Sequence, residues 1–389
     1  MKRILFFNDS MEMGGTEKLL VSLLNHLVTK ECAITLLLPE PSDRNILLRD
    51  LSWRVHVKYI YEKDTSHLKK KIGENLMIFF PRIFAKRKGI KAADYDEIVC
   101  FKETFFARIF SKMEVPKVLW IHNILYKRKY EANTTREKLS VWLNKKQIKR
   151  VQKSYDKFDK VICVSDAARN AYLNVLHDGS MPKDIVVLYN AIDLSTAAEK
   201  AKQPIEDLPQ GHTNFILITR ISPEKRTDRL LNAAGRLKEE GYTFHIYIIG
   251  EGMNSQSMHD SLTGLNLTDN ITLYGRIENP FPYILQCKWS LCVSERESFS
   301  LALLESMALR TPVITTDCGG PRDIVDGGKY GILVDNSAEG VYQGMKMVLD
   351  DPTLSVKYST DLDKAVARFD FQGWLKNVEE VLGIYKETV

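Results

Sequence analysis

The chain has 389 residues, 44% of them hydrophobic and 27% charged, with no low-complexity tract; that balance supports packed cores and excludes a disordered chain. At about 100 to 200 residues per domain there is room for two. The net charge of +5 hides an asymmetry, since residues 1–200 carry an excess of 12 positive charges and residues 201–389 an excess of 7 negative ones, so the first half is the one expected to face something anionic.

In chain order, apolar and β-branched runs bounded by polar turns alternate with helical patterns. Lys2 to Asn8, Ala33 to Leu38, Val55 to Ile60, Glu97 to Phe101, Val118 to His122, Val161 to Val164 and Ile185 to Leu188 read as strands of one sheet, with a helix over Thr16 to Thr29. The segment from Ser195 to Thr213, rich in Ala, Lys, Pro and Gln, reads as a linker. The pattern then restarts, with strands at Phe215 to Thr219, Phe244 to Ile249, Ile271 to Tyr274, Ser290 to Val293, Val313 to Thr315 and Ile332 to Val334, and helices near Thr227 to Glu240 and Ser300 to Leu309. Such alternation predicts parallel sheets, hence an α/β chain of two doubly wound domains, with ligands held beyond the carboxyl ends of the strands.

No apolar stretch approaches the roughly 20 residues that span a bilayer, and the run Ile4 to Phe7 is too short for a secretory signal; a cytoplasmic location is expected. Cys32, Cys100, Cys163, Cys287, Cys292 and Cys318 are scattered without a Cys-x-x-Cys pair, which favours buried thiols over disulfides or zinc. Basic residues gather in two places. From His67 to Lys91, lysines and arginines surround Leu76, Met77, Ile78, Phe79, Phe80, Ile83 and Phe84; from Lys127 to Lys160 they surround Trp142 and Tyr155. Such clusters suit an anionic membrane surface or a solvated helix face over an ordinary core. No helix-turn-helix or single-strand platform speaks for nucleic acid.

The densest chemistry lies between Glu295 and Thr316. Ser298 or Ser300 can cap a helix whose apolar positions are Leu301, Leu304, Ala308 and Leu309, and Pro312 ends it before a short strand. Free N–H groups at Phe299, Ser300 and Leu301 suit a phosphate. Glu297 and Glu305 can accept hydroxyl hydrogen bonds on either side of it, although two solvated glutamates on a surface helix would look the same in sequence. Arg220 and Lys225, directly after a strand, can reach the same strand-end region and pair with phosphates; for Arg220 the alternative is a salt bridge to Glu224. Gly14 and Gly15 form a strand-to-helix turn that lets backbone approach a ligand, with Glu17 in the first helical turn. Neither Gly14-Gly15 nor Gly250-Glu-Gly252 has the dinucleotide spacing, which disfavours nicotinamide cofactors. His122 closes its strand, either facing a ligand or simply packed.

Glu297-x-Phe-x-Leu-x-x-x-Glu305 followed by Thr311-Pro-Val-Ile resembles the donor-site signature of glycosyltransferase family 4, retaining enzymes of the GT-B architecture. Gly14-Gly15-Thr16-Glu17, Arg220-Ile-Ser-Pro-Glu-Lys225, Cys318-Gly-Gly-Pro321 and Gly327-Gly-Lys-Tyr-Gly331 resemble the other family segments in the same order. Family members usually carry Gly where this chain has Ser300, and Asn-Gly where it has Asn190-Ala191. The resemblance implies a GT-B fold, two Rossmann-like domains facing a central cleft. It implies an acceptor-binding domain at 1–195, a linker at 196–213, a nucleotide-sugar domain at 214–370, and a C-terminal helix at 371–389 returning to the first domain. It also implies transfer of a sugar from a nucleoside diphosphate, UDP rather than GDP, to a glycan or lipid-linked glycan at the inner face of the cell membrane. No metal or separate cofactor is expected. Gly14, Gly15, Arg220, Lys225, Glu297, Phe299, Ser300, Leu301 and Glu305 would bind donor, with catalytic roles for Glu297, Arg220, Lys225 and His122, and a donor phosphate oxygen would take the acceptor proton. Two rivals are an epimerase acting on sugar nucleotides through carboxylate acid/base chemistry, which would need no acceptor, and a non-catalytic sugar-nucleotide or glycan-binding module.

Overall fold

A computed structural model describes residues 1–125, 149–176, 184–206, 208 and 211–384. It divides into two compact units, the first made of Met1–Leu188 with Leu375–Val389 and the second of Tyr189–Trp374. The part of the second basic cluster that includes Trp142 lies outside the described residues.

The first unit holds seven parallel strands, β1 (Lys2–Phe7), β2 (Cys32–Leu38), β3 (His56–Tyr59), β4 (Glu97–Cys100), β5 (Lys117–Ile121), β6 (Lys160–Cys163) and β7 (Ile185–Val187), in the order β3-β2-β1-β4-β5-β6-β7. Central strands such as Ile4 to Phe7 and Ile98 to Cys100 are fully buried, as expected where a parallel sheet is covered on both faces. At the edge, β3 is mostly exposed. Between β1 and β2 the helix Gly15–Leu27 buries Leu19, Leu20, Leu23, Leu24 and Leu27, the three-and-four spacing of one apolar stripe.

The second unit has six parallel strands, β8 (Thr213–Ile218), β9 (Phe244–Ile249), β10 (Ile271–Tyr274), β11 (Trp289–Cys292), β12 (Val313–Thr316) and β13 (Ile332–Val334), in the order β10-β9-β8-β11-β12-β13. Helices Thr227–Glu239 and Ala338–Asp350 pack on this sheet through Leu230, Leu231, Ala234, Leu237, Val341, Met345 and Val348. In both units the strand order reverses between the first and fourth strands, and loops leaving such a switch point splay apart to leave room for a ligand.

All thirteen strands stand where the sequence puts them, with ends shifted by two residues at most. The segment 196–213 does not read as linker throughout. Helix Leu194–Ala201, capped by Asp193 accepting from the N–H groups of Ser195 (3.0 Å) and Thr196 (3.2 Å), occupies its start. An Asp followed by Ser-Thr-Ala-Ala-Glu-Lys is a helix start that compositional reading obscures.

The helix Phe371–Val381 begins in the second unit and ends in the first. Its far end is held there by charge: Glu379 pairs with His26 and with Lys30 at 3.2 Å, Lys160 donates to the Val381 carbonyl at 3.0 Å, and Lys2 donates to that of Leu382. Leu375, Val378 and Leu382 are buried beneath it.

Backbone closeness at the strand ends sets a steric test. Gly250, just past β9, has φ of +151°, and a Cβ there would sit 1.7 Å from the Thr219 carbonyl oxygen after β8. Gly250→Ala should destabilise by about 1–3 kcal/mol through forced separation of the two loops. Gly235→Ala, mid-helix with open space around it, should stabilise by roughly 0.5–1 kcal/mol. Unfolding midpoints measured side by side check both signs.

Candidate active site

In the second unit the loops after β8 and β11 meet at the switch point. The Glu295 N–H donates to the Glu224 carbonyl at 2.8 Å, which joins them directly. Across that seam the Lys225 ammonium is ion-paired to the Glu297 carboxylate, both side chains less than one-fifth exposed. Burial works against the charge on Lys225, but the Glu297 carboxylate outweighs it and holds the ammonium above its ordinary range. Lys225 is therefore a fixed cation.

Glu297 is held through its backbone as well. Its N–H donates to the Cys318 carbonyl at 2.9 Å and its carbonyl accepts from Gly320 at 2.8 Å. That approach needs glycine, since Gly319 has φ of +118° and a Cβ on Gly320 would lie 1.9 Å from the Ser298 carbonyl oxygen. The Gly-Gly turn read from the sequence is thus the clamp on the glutamate.

Helix Leu301–Ala308 follows, with Ser300 as its cap: the hydroxyl accepts from the Leu303 N–H at 3.4 Å. Phe299 is buried among Tyr189 and Phe369, with ring centroids 6.2 and 5.5 Å away, so its side chain anchors the helix start and its backbone is the part a ligand could meet. Leu301 and Glu305 are half-buried. Arg220 takes the salt bridge that sequence allowed, donating to Glu224 at 3.2 Å from a largely exposed side chain. Glu224 also accepts from the Ser222 hydroxyl at 2.7 Å, and this bond with the others outweighs burial to keep its carboxyl below the usual range.

Gly14, Gly15, Glu17 and His122 belong to the first unit, where they gather at the ends of β1, β4 and β5 with residues the sequence reading passed over: Asp9, Lys102, Glu103 and Asn123. Gly14 caps helix Gly15–Leu27, and a Cβ on it would stand 2.2 Å from a Glu17 carboxylate oxygen. A side chain there would have to displace the Glu17 carboxylate. Glu17 in turn is buried and pairs with Lys102 at 3.3 Å. His122 is buried against Phe101 (centroids 4.7 Å apart) and Trp120 (5.8 Å). Burial, reinforced by Lys102, pulls its pKa down to about 3, so the imidazole is neutral at working pH. It can exchange hydrogen bonds but does not carry charge. Burial pushes Asp9 up to about 6 and Glu103 up to about 7. A signal for these residues was present: Asn8-Asp9-Ser10 and Lys102-Glu103-Thr104 interrupt apolar strands at the two carboxyl ends flanking the switch point.

Two Rossmann-like units with charged clusters at their switch points define a protein of the GT-B class, and comparison with known proteins agrees. The family described as Glycosyltransferase Family 4 matches residues 13–196, and Glycosyl transferases group 1 matches residues 199–367. The chain is thus made of a Glycosyltransferase Family 4 domain followed by a Glycosyl transferases group 1 domain. A Campylobacter jejuni relative, N-acetylgalactosamine-N,N'-diacetylbacillosaminyl-diphospho-undecaprenol 4-alpha-N-acetylgalactosaminyltransferase, is 30% identical over 191 residues, 49% of this chain and 51% of the relative. The D-inositol 3-phosphate glycosyltransferase of Thermomonospora curvata is 27% identical over 251 residues, 58% of this chain and 57% of the relative. The chain thus spans about half to three-fifths of the length of these curated relatives. Among solved structures, Anabaena HepE in complex with UDP and glucose superposes with a TM-score of 0.73 at 17% identity, covering 99% of this chain and 100% of that one. Sucrose-phosphate synthase from Thermosynechococcus elongatus gives 0.73 at 14% identity, covering 98% of each chain.

The raised carboxyls make stability fall with pH. A carboxyl whose folded pKa lies above its unfolded value binds protons in the folded state that the unfolded chain has released. Its contribution is full below the ordinary carboxylate range and is lost as pH rises through about 6 for Asp9 and 7 for Glu103. Asp9→Asn and Glu103→Gln should each flatten the decline in unfolding midpoint between pH 5 and 8.

Proposed function

We propose that this protein is a retaining glycosyltransferase that moves a sugar from a nucleoside diphosphate, UDP rather than GDP, to a glycan or lipid-linked glycan. The observation that carries the reading is the part-buried Lys225–Glu297 pair beside the Ser300-capped start of helix Leu301–Ala308: a fixed cation, a carboxylate and a helix N-terminus at adjoining strand-end loops. In this reading Lys225, Arg220 and the N–H groups of Phe299, Ser300 and Leu301 take the diphosphate, and Glu297 and Glu305 accept from sugar and ribose hydroxyls. Gly14 and Gly15 are read as further donor-binding residues, and neutral His122 as one that bonds to the transferred sugar or on the leaving-group side of the acceptor. Charge growing on the leaving diphosphate is met by side chains, and a donor phosphate oxygen takes the acceptor proton. A lipid-linked acceptor is favoured by the undecaprenol-bearing substrate in the name of the Campylobacter relative, and UDP by its presence in the HepE complex.

Lys225→Ala should lower kcat for sugar transfer or donor hydrolysis by about 10²–10³-fold and abolish the thermal shift that UDP-sugars give the wild type. Equal shifts in both proteins would refute the donor site, and an inverted product anomer would refute retention.

We also infer that the first unit rests on anionic membrane. Of the apolar residues in the first basic cluster, Met77, Ile78 and Phe84 enter the core, whereas Phe79, Phe80 and Ile83 stay out in water, joined by Leu68 and Ile72. They lie on helices His67–Phe79 and Pro81–Arg87 and, for Phe80, at the junction between them, among exposed Lys69, Lys71, Arg82, Lys86, Arg87 and Lys88. Large apolar side chains ringed by cations suit the headgroup region of an acidic bilayer. No helix among the described residues is long and apolar enough to cross a membrane. Sedimentation with phosphatidylglycerol vesicles should be lost in a Phe79→Ser, Phe80→Ser double variant and be absent with phosphatidylcholine; binding indifferent to both changes would dismiss the surface.

A further inference from the structure

The geometry points to Glu103 as a positioning residue that fixes the His122–Asn123 turn for the reacting sugar. This rests on the glycosyl-transfer reading above and adds to it a residue which that reading does not use. Glu103 follows β4 and reaches across to the end of the neighbouring β5. One carboxylate oxygen accepts the backbone N–H of His122 at 2.8 Å, and the other accepts from the Asn123 side-chain amide. Both donors lie just beyond the last residue of β5, where no sheet ladder holds the chain, so a single carboxylate sets the direction in which the turn leaves the sheet.

The arrangement is costly, which argues that it is more than a convenience of folding. A carboxylate held out of water loses hydration that two hydrogen bonds replace only in part, and an ordinary strand end could be closed by a neutral side chain. A desolvated carboxyl with specific partners at a strand end beside a switch point is a candidate for a functional role. The His122 ring is set by packing on Phe101 and Trp120, while its backbone is set by Glu103. Together they define where its edge and the Asn123 amide stand.

The same geometry gives the turn a proton dependence. As a carboxylate, Glu103 has an acceptor for each donor; once protonated, one oxygen carries a hydrogen that opposes the N–H or NH₂ facing it. The groups around it are Lys102 on its own loop, Asp9 after β1, Cys100 in β4, His122 after β5, Tyr155, and Cys163 in β6. Lys102 stays charged, Cys100, Cys163 and Tyr155 are pushed up by burial, and His122 is neutral from about pH 3 upward. Only Asp9, near 6, titrates close to the 7 of Glu103. Activity should therefore fall as pH drops through about 7, through Glu103 and ahead of Asp9.

Glu103→Ala and Glu103→Gln separate the roles. Glutamine keeps an acceptor for the His122 N–H, and Asn123 can turn its amide to meet the glutamine NH₂, so the turn survives but its titration does not. Transfer from UDP-N-acetylgalactosamine, UDP-N-acetylglucosamine and UDP-glucose to a farnesyl-diphosphate-linked N-acetylhexosamine would be followed from pH 5.5 to 8.5, with amide hydrogen exchange at residues 122–123. Glu103→Ala should lose at least tenfold in kcat/KM for acceptor and exchange about tenfold faster at the turn. Glu103→Gln should recover most of both and lack the acid limb near pH 7, which Asp9→Asn retains. An acid limb that persists in Glu103→Gln, or wild-type exchange and kinetics in Glu103→Ala, would overturn the assignment. A wild type that neither turns over nor is shifted by any of the three donors would sink the glycosyl-transfer reading itself, a failure visible before any variant is made.

Discussion

An ammonium and a carboxylate withdrawn from water across two strand-end loops are the constraint on which the second unit's site depends. Lys225 and Glu297 are 72 positions apart in the chain, and each loop alone could point its charge into solvent. Their pairing is possible because the Glu295-to-Glu224 backbone bond closes the seam and the Gly319-Gly320 turn grips Glu297 from behind. Removing either partner would leave the other charge buried without compensation, which costs far more than a surface pair is worth. The rest of the site follows from that placement: the cap at Ser300, the aromatic anchor at Phe299 and the direction of the helix.

The first unit solves its corresponding problem with a different inventory. At its switch point stand carboxyls that burial makes reluctant to ionise, a lysine kept charged by Glu17, and an imidazole kept neutral. Both clusters hold a lysine paired with a glutamate, and the first unit adds neutral or easily protonated groups that exchange hydrogen bonds.

Much of this was legible in the sequence because parallel strands buried on both faces announce themselves as short apolar runs, and helices by three-and-four spacing. The capped helix at Ser300 was readable because serine, an apolar stripe and Pro312 mark start, face and stop. What stayed hidden depends on contacts between distant segments. Nothing local says that Glu17 pairs with Lys102, that Lys225 meets Glu297, or that Phe79 stays outside while Phe84 goes in. Asp9 and Glu103 were overlooked for a related reason: a carboxylate after a strand looks like any solvated loop residue until the neighbouring strand end closes over it. The helix Leu194–Ala201 was obscured by a composition that suits linkers and helices alike.

On the donor-site reading, the Lys225–Glu297 pair would impose a logical condition on its ligand. A bare diphosphate could satisfy the lysine only by leaving the glutamate stranded, and an uncharged sugar could satisfy the glutamate only by stranding the lysine. On the donor-site reading, a molecule that brings an anion and a hydroxyl at the right separation would replace both ends of the bond at once, so the pair would act as a coincidence detector against half-matched visitors.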